Sequence, residues 1–216
     1  STIRKFYYTL KKALLWHAKV NGYPFTEVFT FVKPPTTDIC RERRLEEGEY
    51  EKLLAATDKM HQHKNEYKLV IGFALETSAR MQEILLAEWH EINIDKKIWL
   101  IPKDKCKTKT ARNVPLTTIA IRILDELKKF KKENETRLFY MWKNSASLSH
   151  RLKVITTNAE MEDFRFHDLR HEATCRIYER TSLRDIQIAK ITGHTDLKTL
   201  KRYANLRSEN IADEMW

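Results

Sequence analysis

Apolar residues recur at helical spacing along most of this chain, and the stretches that break the pattern are short. Near the start, Phe6, Leu10, Leu14 and Ala18 form one stripe, with Lys5, Lys11, Lys12 and Lys19 elsewhere around the cylinder. This predicts an amphipathic helix ending near Asn21-Gly22. A lone helix cannot bury its own stripe, so it is expected to close a larger helical domain or to dock on the rest of the chain. "KPPTTDICRERR" follows, and Pro34-Pro35 with the polar run predicts a linker. A body is expected from Leu45. Its helices are predicted in "EEGEYEKLLAAT", "EYKLVIGFALETS" and "ARMQEILLAEWHEI", and after residue 117 in "TTIAIRILDELKKFKKE", "SLSHRLKVITTNAEM", "DLRHEATCRIYER" and "SLRDIQIAKITGH". Between the two groups the period changes. "KKIWLIP" and "ARNVPL" are short, β-branched and bounded by Pro102 and Pro115, which predicts a β-hairpin with "KDKCKTKT" as its loop. The fold class expected is mainly α with one small antiparallel β-sheet.

Composition agrees with this pattern. Only 4 Gly and 5 Pro in 216 residues disfavour an all-β fold with many tight turns, and 42% apolar residues suffice for a core. Charge adds a partner. Lys and Arg number 40 against 30 Asp and Glu, a net +10, which points to a polyanion. More than half of the excess lies in residues 1–44. A membrane is not expected, because no apolar run approaches the roughly eighteen residues of a spanning helix. Cys40, Cys106 and Cys175 are scattered and odd in number, so reduced thiols are expected and no disulfide framework. The histidines show no metal-binding spacing; His61 and His63 read as surface loop residues.

Four places carry candidate chemistry. Arg80 stands at a helix start with Glu83 three residues on, which as an isolated feature reads as a surface ion pair. Lys103, Lys105, Lys107 and Lys109 alternate; in an extended hairpin they would share one side and repel unless an anion lies against them. In "RFHDLRHEATCRI", His167 precedes a helix that Asp168 is expected to cap, and Arg170 leaves the buried stripe; such a helix start suits an anion. His171 reads as a satisfied structural histidine. Finally, in "ITGHTDLKTLKRYANL", Gly193 suits a left-handed helix end and His194 follows it. A new helix from Thr195 is expected to bring Lys198, Lys201, Arg202 and Tyr203.

Together these pieces resemble the catalytic domain of the tyrosine recombinases, the phage-integrase family. "TSARMQE", "KTKTARNVPL", "HDLRH", "TGH" and "RY" occur in the family's order, and the run from Phe166 is particularly similar to shufflon-type DNA invertases and related phage integrases. One departure is Ser78-Ala79, where many members have a Gly before the Arg. The resemblance implies a catalytic domain over residues 45–216, with a C-terminal tail that could pack on a neighbouring copy. Residues 1–32 would be the last helix of a core-binding domain and 33–44 a basic linker. It implies a site-specific recombinase that cleaves and rejoins DNA through a 3′-phosphotyrosine, with no metal, cofactor or ATP.

Tyr203 would be the nucleophile. Arg80, Arg170 and His194 would hold the phosphate, because guanidiniums grip two oxygens at once and keep their charge. Lys107 would protonate the departing 5′-oxygen, with Lys109 its nearest rival, and His167 would accept the phenolic proton. Glu83 and His171 are expected in supporting roles. Lys103, Lys105, Lys109, Arg112, Lys198, Lys201, Arg202, Arg41, Arg43 and Arg44 are expected on DNA. The partners implied are double-stranded DNA sites, three further copies in a tetramer on synapsed DNA, and accessory DNA-bending proteins, in the cytoplasm at the nucleoid. A topoisomerase sharing this chemistry and a silent DNA-binding regulator are the alternatives.

Overall fold

The computed structural model describes residues 2–24, 29, 31–35, 41–197, 199–201 and 203. The chain divides into two compact units, Ser1–Glu42 and Arg43–Trp216. The first holds helix α1 (Thr2–Asn21), which ends where the sequence predicts. Gly22 follows at φ 66. Tyr7 donates from its hydroxyl to the Val32 carbonyl at 2.7 Å. Ile3, Phe6, Leu10, Leu14 and Trp16 are exposed.

The second unit runs α2 (Glu49–Thr57), α3 (Lys64–Thr77), α4 (Met81–Leu85), β1 (Ile92–Asn93), β2 (Ile98–Ile101), β3 (Arg112–Pro115), α5 (Thr118–Lys128), α6 (Ser145–Asn158), α7 (Phe166–Arg180) and α8 (Asp185–Thr192). Helix α3 is its centre. Val70, Ile71, Phe73, Ala74 and Leu75 are buried, and α5 and α7 pack on it. An aromatic group closes the core: the Phe73 ring lies 5.4 Å from Trp99 and 5.8 Å from Phe139, which stacks on Trp142. Thr117 and Asn144 cap α5 and α6 through their side chains.

The helix expected over residues 79–92 is much shorter. It stops after Leu85 because distant residues claim the backbone: Leu138 N donates to Ala87 O, Trp89 N to Thr136 O, and Glu88 bridges to Arg137. Glu88 is extended, a single 3-10 turn at Trp89–Glu91 follows, and β1 begins. The sheet therefore has three strands, in the order β1-β2-β3, all antiparallel. Helix α5 also ends sooner than its lysine-rich sequence suggested. Asp168 is the third residue of α7, not its cap; its carboxylate accepts from Arg165 N at 2.8 Å. Helix α8 starts at Asp185, with Gln187 accepting from Arg184 N, so Ser182 lies outside it. After Thr195 the described residues adopt 3-10 turns. Among the described residues no helix is long and apolar enough to cross a membrane.

In β2 and β3, Trp99 faces Val114 and Ile101 faces Arg112, and all four point inward. Arg112 thus occupies a core position at the end of a strand, under α8. A second, smaller cluster joins α7 to α8: Cys175, Tyr178, Ile188, Ala189, Leu200 and Tyr203.

Replacement of Phe73 by Ala opens a hole at the centre of the aromatic group, and should destabilise the chain by about 3–5 kcal/mol in urea unfolding. A loss below 1 kcal/mol would show that this group does not carry the core.

Candidate active site

The last turn of α8 is the site's frame. A helix end leaves carbonyls without partners and carries partial negative charge. Here three successive carbonyls accept from three arginines of different elements. Arg112 Nε donates to Ile191 O at 3.0 Å, Arg170 Nη2 to Thr192 O at 2.6 Å, and Arg80 Nη2 to Gly193 O at 2.9 Å. Arg170 also gives Nη1 to Ser78 O at 2.5 Å, so it joins the C-terminal ends of α3 and α8.

Gly193 makes this approach possible. It sits at φ 72, and a Cβ there would lie 3.1 Å from the Arg112 guanidinium. Ser78 is also left-handed, at φ 51, a conformation that glycine adopts at lower cost. Its hydroxyl bonds that of Thr174 at 2.9 Å, which offsets the strain. Ser78 therefore holds the left-handed turn that presents Arg80.

One carboxylate sits among the three guanidiniums. Glu83 is 1% exposed and takes a fork from Arg112 at 2.8 and 2.6 Å. It also accepts from Arg80 N at 2.8 Å and from Arg80 Nη1 at 3.2 Å. Burial works to raise Glu83, but the hydrogen bonds and charge of Arg112 override it and hold the carboxyl below its ordinary range. Arg112 is buried too, and Glu83 outweighs that burial and raises it. Arg170 is 3% exposed and has no carboxylate partner at hydrogen-bonding distance among the described residues; burial, and after it the positive charge of Arg80, pull it down to about 9. Three guanidiniums against one carboxylate leave an excess of positive charge in a partly closed space.

His194 lies beside this group. Its Nδ1 is 2.6 Å from Thr192 Oγ1, which donates to Ile188 O, and its Nε2 is 3.4 Å from Arg170 Nη2. That pattern fits a proton on Nδ1 and a lone pair on Nε2. A groove of about 930 Å³ opens between the β2–β3 loop and α8, bordered by Thr108, Thr110, Lys190 and His194.

Tyr203 is 5% exposed. Its hydroxyl is 2.9 Å from His171 Nδ1 and its ring stacks on Tyr178 at 5.4 Å. Tyr178 in turn donates to Asp185 Oδ1 at 3.0 Å. His171 thus meets the tyrosine, whereas His167, in the first turn of α7, is exposed.

The lysine loop is not extended. Lys105 N bonds Pro102 O and Lys109 N bonds Cys106 O, which makes two consecutive turns. Lys105 folds inward onto Leu86 O, Glu88 and Glu91 at 2.6–2.8 Å, while Lys103, Lys107 and Lys109 are exposed. Four residues expected on DNA have carboxylate partners in the protein: Lys105, Arg112, Arg43 with Glu49, and Arg44 with Glu172 and Glu179. Arg43 and Arg44 fall in the second unit, which begins at Arg43. Arg41 is half-buried in the first unit and Lys201 is exposed. Lys198, Arg202 and the tail from Ala204 lie outside the described residues, as does Cys40. No metal-binding group of His, Cys, Asp and Glu occurs among the described residues. Sequence reasoning missed the inward role of Arg112, although its spacing of two from Val114 already put both on one face of the strand.

Residues 43–210 match the Phage integrase family. The chain is 31% identical over 191 residues to a shufflon-specific DNA recombinase of Escherichia coli, covering 88% of this chain and 47% of that protein. It spans about half the length of the curated relatives it matches. The fold is shared with the catalytic domain of bacteriophage HP1 integrase, at a TM-score of 0.58 and 22% identity, covering 80% of this chain and 94% of that one. It is also shared with the Tn1549 transposon integrase, solved with a circular intermediate DNA, at a TM-score of 0.69 and 14% identity over 96% and 76% of the two chains.

Glu83→Gln should cost about 3–5 kcal/mol at pH 7, because it leaves Arg112 buried without its anion. The carboxyl is held low in the folded chain, so its contribution is full above the ordinary carboxylate range and is lost as pH falls through the folded value. The gap between wild type and variant in urea unfolding should therefore narrow in acid; a gap that stays constant from pH 7 to about 3 would contradict the pairing.

Proposed function

The chain belongs to the phage integrase family, and on that premise we propose that it breaks and rejoins DNA at specific sites through a covalent bond to Tyr203. The observation that supports this most is the surplus of guanidinium charge at the end of α8, where Arg80 and Arg170 share one turn. A phosphodiester supplies the missing anion. In the transition state its non-bridging oxygens gain charge, and two fixed guanidiniums stabilise that gain more than the ground state. His194 adds a hydrogen bond once Nε2 carries a proton.

The Tyr203 oxygen attacks phosphorus, a Tyr–O–P bond forms, and the bond to the 5′-oxygen breaks. His167 takes the phenolic proton. Lys107 gives a proton to the 5′-oxygen. The exposure of Lys107 favours it over Lys105, which is held by two carboxylates; Lys109 stays the rival. Attack by another strand's 5′-hydroxyl then reverses the step and restores the phosphodiester, so no ATP is consumed. Before attack the Tyr203 hydroxyl must leave His171.

Lys103, Lys109 and Lys201 are exposed and remain suited to neighbouring phosphates. Helix α1 is assigned to a helical core-binding domain, whose other helices would cover its exposed apolar residues. The working assembly is four copies on two DNA sites, in the cytoplasm.

A nicked suicide DNA substrate tests this reading. Wild type should form a protein–DNA adduct that survives denaturing electrophoresis and persists in EDTA. Tyr203→Phe should form none while binding DNA about as well, and Arg170→Ala should lower the rate by about 100-fold or more. A chain that binds DNA without any adduct would be a regulator, and an adduct that requires Mg²⁺ would overturn the mechanism. Binding itself should weaken steeply between about 50 and 200 mM salt; a flat response would exclude phosphate contacts as its basis.

A further inference from the structure

Arg112 was expected on DNA, yet it lies buried with all of its contacts inside the protein. We propose that Arg112 is a positioning residue, which keeps the Glu83 carboxylate from pairing two-pronged with the Arg80 guanidinium and so leaves most of the Arg80 charge for an external anion. The geometry of Glu83 carries this. Both carboxylate oxygens receive Arg112 at 2.8 and 2.6 Å, whereas the Arg80 side chain reaches only one, at 3.2 Å. The shorter, two-pronged pair takes most of the carboxylate's charge. Arg80 is left with a weak hold from Glu83 and a neutral carbonyl, Gly193 O.

Without Arg112 the same carboxylate, 1% exposed and already bonded to Arg80 N, has one cation in direct reach. It would close on the Arg80 guanidinium, form the fork there, and neutralise the group. The other charged or titratable groups around Glu83 do not prevent this. Arg170 is tied to Ser78 O and Thr192 O, and Cys106 is a buried thiol whose Sγ accepts from Arg112 at 3.4 Å. The inward direction of Arg112 follows from its place in β3, on the same face as Val114, and its Nε bond to Ile191 O fixes the fork in register with the α8 turn. The lack of any Cβ at Gly193 lets the guanidinium lie flat against that turn.

The inference uses the recombinase reading only for its second readout. The first is direct: sulfate is titrated into the folded chain and the Arg80 Nε–Hε signal is followed by NMR. Wild type should bind sulfate with a shift of that signal. Arg112→Met should weaken binding by about tenfold or more and move the Arg80 signal, before sulfate is added, toward that of a carboxylate-paired guanidinium. The double variant Glu83→Gln with Arg112→Met removes the competing carboxylate, and should bind sulfate within a few-fold of wild type. Adduct formation on nicked DNA should follow the same order.

Arg80→Ala sets the floor. If Arg112→Met binds sulfate as wild type does, the proposal is overturned. It is equally overturned if the double variant is folded and sits at the floor, since Arg112 would then only support the turn. If Arg112→Met does not fold, the double variant decides alone by the same two outcomes. An adduct missing in wild type while the sulfate order holds would remove the recombinase reading and keep this one.

Discussion

The end of α8 offers three unpaired carbonyls, and the chain answers with Arg80, Arg112 and Arg170. That one convergence fixes most of what matters in the C-terminal unit. It ties the start of α4, the start of β3 and the first half of α7 to a single turn. It also sets the electrostatics, because among the described residues only Glu83 stands against three guanidiniums. Buried charge without a counter-charge is costly, and the depression of Arg170 to about 9 expresses that cost. A fold that bears it is prepared for an anion before the anion arrives, and the rearrangement needed at the moment of reaction is correspondingly small.

Local backbone features serve the same turn. Gly193 has the left-handed conformation and the missing Cβ that let Arg112 approach. Ser78 holds a similar conformation with a side chain, supported by Thr174, and its carbonyl takes the other half of Arg170. Lys105, tied to Glu88 and Glu91, anchors the base of the loop that leaves Lys107 exposed. Tyr203 stands outside this rigid frame, stacked on Tyr178 and bonded to His171. The groups that bind charge are thus set in advance, while the nucleophile is held in a place of its own.

Much of this could be read from residue order. The 3.6-residue period located α1, α3, α6 and α7, the β-branched runs located β2 and β3, and Gly193 marked the end of α8. The errors have physical causes. The apolar pattern of residues 84–92 continues as if helical, but backbone bonds from Leu138 and to Thr136 pull the chain straight, and no local signal reports partners fifty residues away. Lysine alternation suggested a one-sided loop, yet alternation has that meaning only in extended chain, and two turns intervene. The carboxylate partners of Arg43, Arg44, Lys105 and Arg112 were not legible, because charge counts do not show which cations meet carboxylates. The contact of His171 with Tyr203 depends on how the 3-10 turns after α8 fold back, which side-chain spacing alone does not determine.

The most direct test is a structure of the Tyr203→Phe chain on a DNA that the wild type cleaves. One phosphate should lie within hydrogen-bonding distance of both Arg80 and Arg170, while their remaining N–H groups stay on the carbonyls of Gly193 and Thr192. Guanidiniums that had left the α8 turn, or that held two different phosphates, would contradict the account.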